Sequence, residues 1–116
     1  MTKPKPGQSV RGSQTGRPIM ALLDLLGRRW ALRIIWELVQ SGPRSFRKLQ
    51  KLCGNISPTV LNTRLKELRE ADIVDHLEGQ GYALTMEGEH LVSSLSYLNI
   101  WSKRWEQREK KKRKEP

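Results

Sequence analysis

The chain has one cysteine, Cys53, in 116 residues. That excludes an internal disulfide framework and suits a reducing compartment. It has no apolar run near the ~18 residues that a membrane-spanning helix needs. The first residues, "MTKPKPGQSVRGSQTGRP", are basic but lack an apolar stretch, so they do not read as a secretory signal. The expected location is the cytoplasm, with no membrane partner. Its two histidines, His76 and His90, are widely separated and have no Cys, Asp or Glu at metal-ligand spacing. There is no phosphate loop, nucleophile motif or catalytic pair of carboxylates. No catalytic residue, metal or cofactor is therefore expected, and the chain reads as a non-enzyme.

Acid is the other scarcity. Twelve acidic residues face 22 basic ones, for a net charge of +10. Residues 1–17 contribute four basic groups and no acid, and residues 103–116 contribute eight basic and three acidic. Between them, residues 18–69 sum to +7 and residues 70–102 to −6. A polyanion is the natural partner for such a distribution. The plainer alternative is a chain kept soluble by surplus lysine.

The length allows one domain with a modest core. Residues 1–17 hold too little apolar surface to offset ordering and read as a disordered basic arm. A folded unit is expected over 18–102, and residues 103–116 read as the end of the last helix and a basic tail. Pro18 opens "PIMALLDLLG", a short helix with Ile19, Leu22, Leu23 and Leu26 inward, stopped at Gly27. "RRWALRIIWELVQSG" continues with Trp30, Ile34, Ile35 and Leu38 at helical spacing and ends at Gly42 and Pro43. Ser45 caps a short helix carrying Phe46, Leu49 and Leu52; Gly54 and Asn55 turn the chain. Ser57 then caps a longer helix with Pro58 in its first position. Short helix, tight turn, longer helix is the layout of a helix-turn-helix. "IVDHL" and "YALT" read as strands joined at "EGQG", and Thr85 caps a last helix from Met86. The stripe of that helix is Leu91, Leu95, Leu98, Trp101 or Ser102, and Trp105. The fold class is mainly α with a small β-hairpin, a winged helix-turn-helix with extra N- and C-terminal dimerisation helices.

The helix over 57–71 decides the functional reading. Placing residues every 100° puts Ser57, Leu61, Arg64, Leu65 and Leu68 on or near the core side. Thr59, Asn62, Thr63, Lys66 and Glu70 fall opposite. Any surface helix turns polar residues outward, but Thr and Asn are poor helix formers that add nothing to its stability. In a major groove they make sense, Asn facing adenine and Thr facing a thymine methyl or making a hydrogen bond. Lys66 and Arg64 are placed for phosphates, and the helix N-terminus with the Ser57 hydroxyl favours an anion.

"LLGRRW", "GPRSFRKL", "ISPTVLNTRLKEL" and "YALTMEGEHL", in this order and spacing, resemble the HxlR family of bacterial winged-helix regulators, related to MarR. The likeness runs from about Ala21 to Leu98. It implies a homodimeric regulator of transcription that binds duplex DNA and sits on the nucleoid when bound. Ser57, Thr59, Asn62, Thr63 and Arg64 then open the recognition helix. Arg44 and Ser45 open the preceding helix, where a phosphate contact is expected. Ile19, Leu22, Leu23, Leu91, Leu95, Leu98, Trp101 and Trp105 form the dimer interface, the alternative being that the last helix packs back on its own domain.

The chain also departs from the family. Many members carry a sensing cysteine before the first helix, where this chain reads "GRPIM". Cys53 reads as a small buried hydrophobe. The wing "DHLEGQGY" is short and holds Asp75 and Glu78, leaving His76 and Gln80 as the residues able to approach DNA there, while the basic termini offer a substitute. Asp72 stands where a glycine usually ends the recognition helix and tolerates left-handed geometry. The rival reading is a winged helix that binds protein, or nucleic acid non-specifically (RNA included), through its basic tails. The sequence names no small-molecule effector.

Overall fold

The structure is a computed structural model and describes residues 17–114. The basic arm expected over residues 1–17 lies, except for Arg17, outside the described residues, as do the last two residues of the tail. The elements in chain order are α1 (Pro18–Leu26), α2 (Ala31–Ser41), α3 (Phe46–Leu52), α4 (Pro58–Glu70), β1 (Val74–Leu77), β2 (Gly81–Leu84) and α5 (Met86–Lys114). Five helices and a two-stranded antiparallel hairpin make a winged helix.

Polar caps define the helix starts. The Ser45 hydroxyl accepts from the Lys48 amide at 3.2 Å and opens α3. Ser57 does the same for Val60 at 3.1 Å, with Pro58 at the first position of α4, where no amide is needed. Between them Gly54 and Asn55 both take positive φ, 72° and 61°, and the Asn55 amide bonds back to the Gln50 carbonyl at 2.8 Å. Asp72 ends α4 at φ 62°, the left-handed geometry expected of it. The core gathers Leu25 and Leu26 of α1, Ile34, Ile35 and Leu38 of α2, Leu49 of α3, and Leu61, Leu65 and Leu68 of α4, with Cys53, Ile56, Ile73 and Val74.

Two details correct the sequence reading. In α1 the core takes Ala21, Leu25 and Leu26, while Ile19 and Leu23 are more than half exposed rather than inward. The helix is apolar around most of its circumference, so its sequence does not single out one face. Trp30 stands before α2 as its cap, at φ 77°, because the chain reverses between two helices there. Its ring still packs against the core.

The hairpin pairs Val74 with Leu84 through Leu77 with Gly81. A third segment joins it: Arg44 donates its amide to the Tyr82 carbonyl at 2.9 Å and accepts from the Tyr82 amide at 2.7 Å. This contact explains Gly81. Its φ is 91°, and a Cβ there would lie 2.3 Å from the Arg44 carbonyl oxygen. At the far end Thr85 locks α5 to the end of α4. Its hydroxyl donates to the Asp72 carbonyl at 2.5 Å and accepts from the Gly88 amide at 2.9 Å, while its own amide bonds the Ile73 carbonyl at 3.0 Å. α5 remains helical to Lys114, so its basic end is ordered helix. Glu, Lys, Arg and Gln are good helix formers, and Lys110 with Glu106 at 3.4 Å adds an i,i+4 pair.

One charged cluster crosses this core. The Arg28 guanidinium reaches Asp24 at 3.2 Å and Glu67 of α4, with the Arg28 and Glu67 side chains only 7% and 6% exposed. Arg64 donates to the other Glu67 oxygen at 2.7 Å and, through Nε, to the Arg29 carbonyl at 2.8 Å. The corner between α1 and α2 thus holds the outer turn of α4 by charge as well as by packing.

Two stability outcomes follow. Glu67→Ala removes the cross-helix partner of a buried guanidinium and should cost about 3 kcal/mol, read by urea unfolding; a loss under about 1 kcal/mol would mean the cluster behaves like a surface pair. Gly88→Ala sets propensity against space. Helix propensity alone gives a gain of about 1 kcal/mol, but the added methyl would sit 2.1 Å from the Ile73 carbonyl oxygen. The expected net result is a loss of about 1–3 kcal/mol, and a higher urea midpoint would refute that close approach.

Candidate DNA-binding face

The caps and leucines of α4 determine what the helix shows. With Leu61, Leu65 and Leu68 buried, Ser57, Thr59, Asn62, Thr63 and Lys66 are all exposed on the outer side. Thr63 spends its hydroxyl proton on the Thr59 carbonyl at 2.9 Å, which leaves its methyl and oxygen lone pairs turned outward. Ser57 uses its oxygen as the cap acceptor and keeps its proton for an outside acceptor. Among the described residues, the side chains of Thr59, Asn62 and Lys66 make no hydrogen bond or ion pair.

Arg64 is different. Its Nε and Nη1 are committed to the Arg29 carbonyl and Glu67, so it braces the helix from behind. Its placement near the core side is as read from the helical wheel, and two of its three nitrogens are engaged inside the domain. Arg44 is half-buried in the wing pairing, its Nη1 bonded to the Pro43 carbonyl at 2.8 Å, and Ser45 is exposed at the start of α3. Gln80 is exposed at the hairpin tip, next to Glu78.

The sequence reading passed over α3 itself. Arg47, Lys48 and Lys51 are all exposed on it, without an acidic residue in the helix. The signal was available: three cations within five residues of a capped helix that leads into α4. At the other end of α4 the charge changes sign. Lys66, Arg69, Glu70, Asp72 and Asp75 line a shallow groove of about 400 Å³, where Arg69 approaches Asp75 at 3.9 Å. The exposed cations without an acidic neighbour in their own helix are therefore those of α3.

The residues read as an interface divide in two. Ile19, Leu23, Leu98, Trp101 and Trp105 are exposed, while Leu22, Leu91 and Leu95 are half-buried, with Leu22 and Leu91 packed on the core. Leu32 and Trp36 of α2 join them, lining with Leu95 and Leu98 an apolar groove of about 470 Å³ between α2 and α5. Cys53 is fully buried, and burial pushes its thiol pKa up against the opposing pull of Arg33. A raised pKa disfavours the reactive thiolate. Among the described residues no helix is long and apolar enough to cross a membrane.

The likeness to known proteins matches this geometry. The model of the HxlR-like helix-turn-helix family matches residues 25–110. The HTH-type transcriptional regulator YvaP of Bacillus subtilis is 29% identical, over 72% of this chain and 82% of its own. The structure of quinone-bound YodB, from the same organism, is 31% identical and superimposes with a TM-score of 0.67 over 74% of this chain and 94% of that one. A MarR-family regulator of Enterococcus faecalis V583 gives a TM-score of 0.68 at 27% identity, over 80% and 89% of the two chains. These are transcriptional regulators and not enzymes, and the chain belongs with them to the HxlR-like helix-turn-helix family of DNA-binding regulators.

Proposed function

We propose that the protein reads duplex DNA sequence-specifically as a homodimer, laying the exposed face of α4 in the major groove of each half-site. One observation carries this reading: Thr59, Asn62 and Lys66 stand side by side on α4 without internal partners, while every charged group behind them is paired. Polar side chains of poor helix propensity at that position have a use in base-edge contact. Asn62 reads adenine, and the Thr63 methyl faces a thymine methyl. Lys66, Ser57 and the amino end of α4 hold phosphates, supported by Ser45 and the cations of α3. Arg44 and Gln80 border the hairpin, whose Asp75 and Glu78 keep it off the backbone. The exposed apolar faces of α1 and α5 meet a second copy, since so much apolar surface is unusual on a soluble monomer.

Selection from random duplexes tests the whole reading. An enriched inverted repeat with half-sites about one helical turn apart, or a multiple, is the expected result. Strong, salt-sensitive binding with no enriched motif would instead identify a non-specific binder. On the selected site, Asn62→Ala should cost about 1–3 kcal/mol and have little effect on random DNA. Lys66→Ala should weaken both and flatten the dependence of binding on salt by about one unit of slope. Equal losses from Asn62→Ala on both duplexes would remove the base contact.

A further inference from the structure

α5 carries a pattern that its packing on the domain uses only in part, through the half-buried Leu91. Steps of four and three residues from Glu87 trace a single seam down the helix to Lys112, a 3.5-residue repeat of the kind that pairs helices in coiled coils. The seam is also a palindrome about the midpoint between Asn99 and Ile100. Leu98 mirrors Trp101, Ser94 mirrors Trp105, Leu91 mirrors Arg108, and Glu87 mirrors Lys112. In each pair the two side chains are complementary. A small serine leaves room for an indole, a leucine takes the aliphatic stem of an arginine, and a carboxylate meets an ammonium.

The structure leaves the central part of this seam uncovered. Leu98, Trp101 and Trp105 are 63%, 48% and 52% exposed. The two indoles lie 6.0 Å apart, and the Arg108 guanidinium stands 5.3 Å over the Trp101 ring, so the ridge is already assembled in one copy. The ends are charged oppositely: Glu87 and Glu89 in the first turn, Lys111, Lys112, Arg113 and Lys114 in the last. The partners they have within the chain are long and solvent-exposed, Glu87 to His90 at 3.9 Å and Lys112 to Glu109 at 3.7 Å. Pairs of that kind contribute little and exchange easily.

We propose that α5 pairs antiparallel with the α5 of a second copy in this register, each basic end closing on the acidic first turn of the other. A parallel pairing would stack lysines on lysines and align the helix dipoles. The proposal rests on the homodimer reading and adds its register. It also sets a distance: at 1.5 Å per residue the two Glu87 positions lie ~38 Å apart along the pair. Gly88 and Thr85 fasten that end of α5 to the end of α4. The pairing therefore fixes the separation of the two α4 C-terminal ends, and with it the spacing of the two helices proposed to read DNA.

The test is a cysteine pair in the full chain. Glu87→Cys/Lys112→Cys should give a covalent dimer on mild oxidation, while either single variant should give no more than the parent, whose Cys53 is buried. Sedimentation velocity is run on all four proteins under reducing conditions. Charge reversal is the second measurement: Glu87→Lys or Lys112→Glu should each weaken the dimer by about fivefold, and the two together in one chain should restore it. Cross-linking by a single variant, or a dimer in which the double variant stays uncrosslinked, overturns the register and leaves the homodimer standing. A parent that sediments as a monomer overturns both.

Discussion

The orientation of α4 depends on a buried charge. Three leucines hold the helix to the core, but a leucine stripe tolerates some rotation about the helix axis, and rotation is what a recognition helix cannot allow. Glu67 removes that freedom. Its carboxylate lies inside the domain between Arg28 and Arg64, and a carboxylate that far from water is stable only where both partners reach it. Turning the helix would draw Glu67 away from Arg28 and the Arg64 Nε away from the Arg29 carbonyl, the two contacts of this cluster that reach outside α4. The same bonds account for Arg64, which faces inward to complete the set and so leaves the outer face to short polar side chains and Lys66.

The wing and the last helix are set by backbone contacts instead. Arg44 enters the hairpin through two main-chain hydrogen bonds, so the start of α3 and the wing move as one piece. Ile73 offers its carbonyl to Thr85, and the absence of a side chain at Gly88 lets α5 come down on that carbonyl. A short connection therefore joins the end of α4 to the root of α5, the longest helix among the described residues. Any fixed relation between two α5 helices becomes a fixed relation between two α4 helices. The proposed dimer gives a place to the acid of the hairpin, which keeps the wing off phosphate, and to that of the first turn of α5, which meets a basic helix end.

The sequence was readable where one residue type has one geometric use. Ser45, Ser57 and Thr85 before apolar runs, Pro58 after a cap, and Gly54 with Asn55 in a tight turn placed α3, α4 and the start of α5. The polar face of α4 was legible for the same reason, because three leucines at helical spacing leave little choice of inward side. What escaped has no periodic signature. A single residue pairing with a strand, as Arg44 does, leaves no alternation to read. In α1 nearly every position is apolar, so spacing could not tell the core face of Ala21, Leu25 and Leu26 from the exposed face of Ile19 and Leu23. The internal engagement of Arg64 depends on a carboxylate three residues away and a carbonyl thirty-five residues away. The wheel gave its direction but not its partners.

One helix of this kind touches few bases. At about 1–3 kcal/mol for each mismatched base pair, the contacts of a single α4 reach only the lower end of the 10³–10⁷ discrimination of specific regulators. Adding a second copy doubles the number of bases read, but the gain is realised only if both helices meet their grooves at once, with little freedom lost on binding. A flexible link would spend much of the added contact energy on ordering. A helix of 29 residues that is continuous from its anchor on Ile73 to Lys114 does not have that weakness. In the proposed dimer the length of α5, far beyond what its own domain can cover, serves the same end as the buried Glu67: Glu67 fixes the rotation of each α4, and α5 fixes the relation between the two.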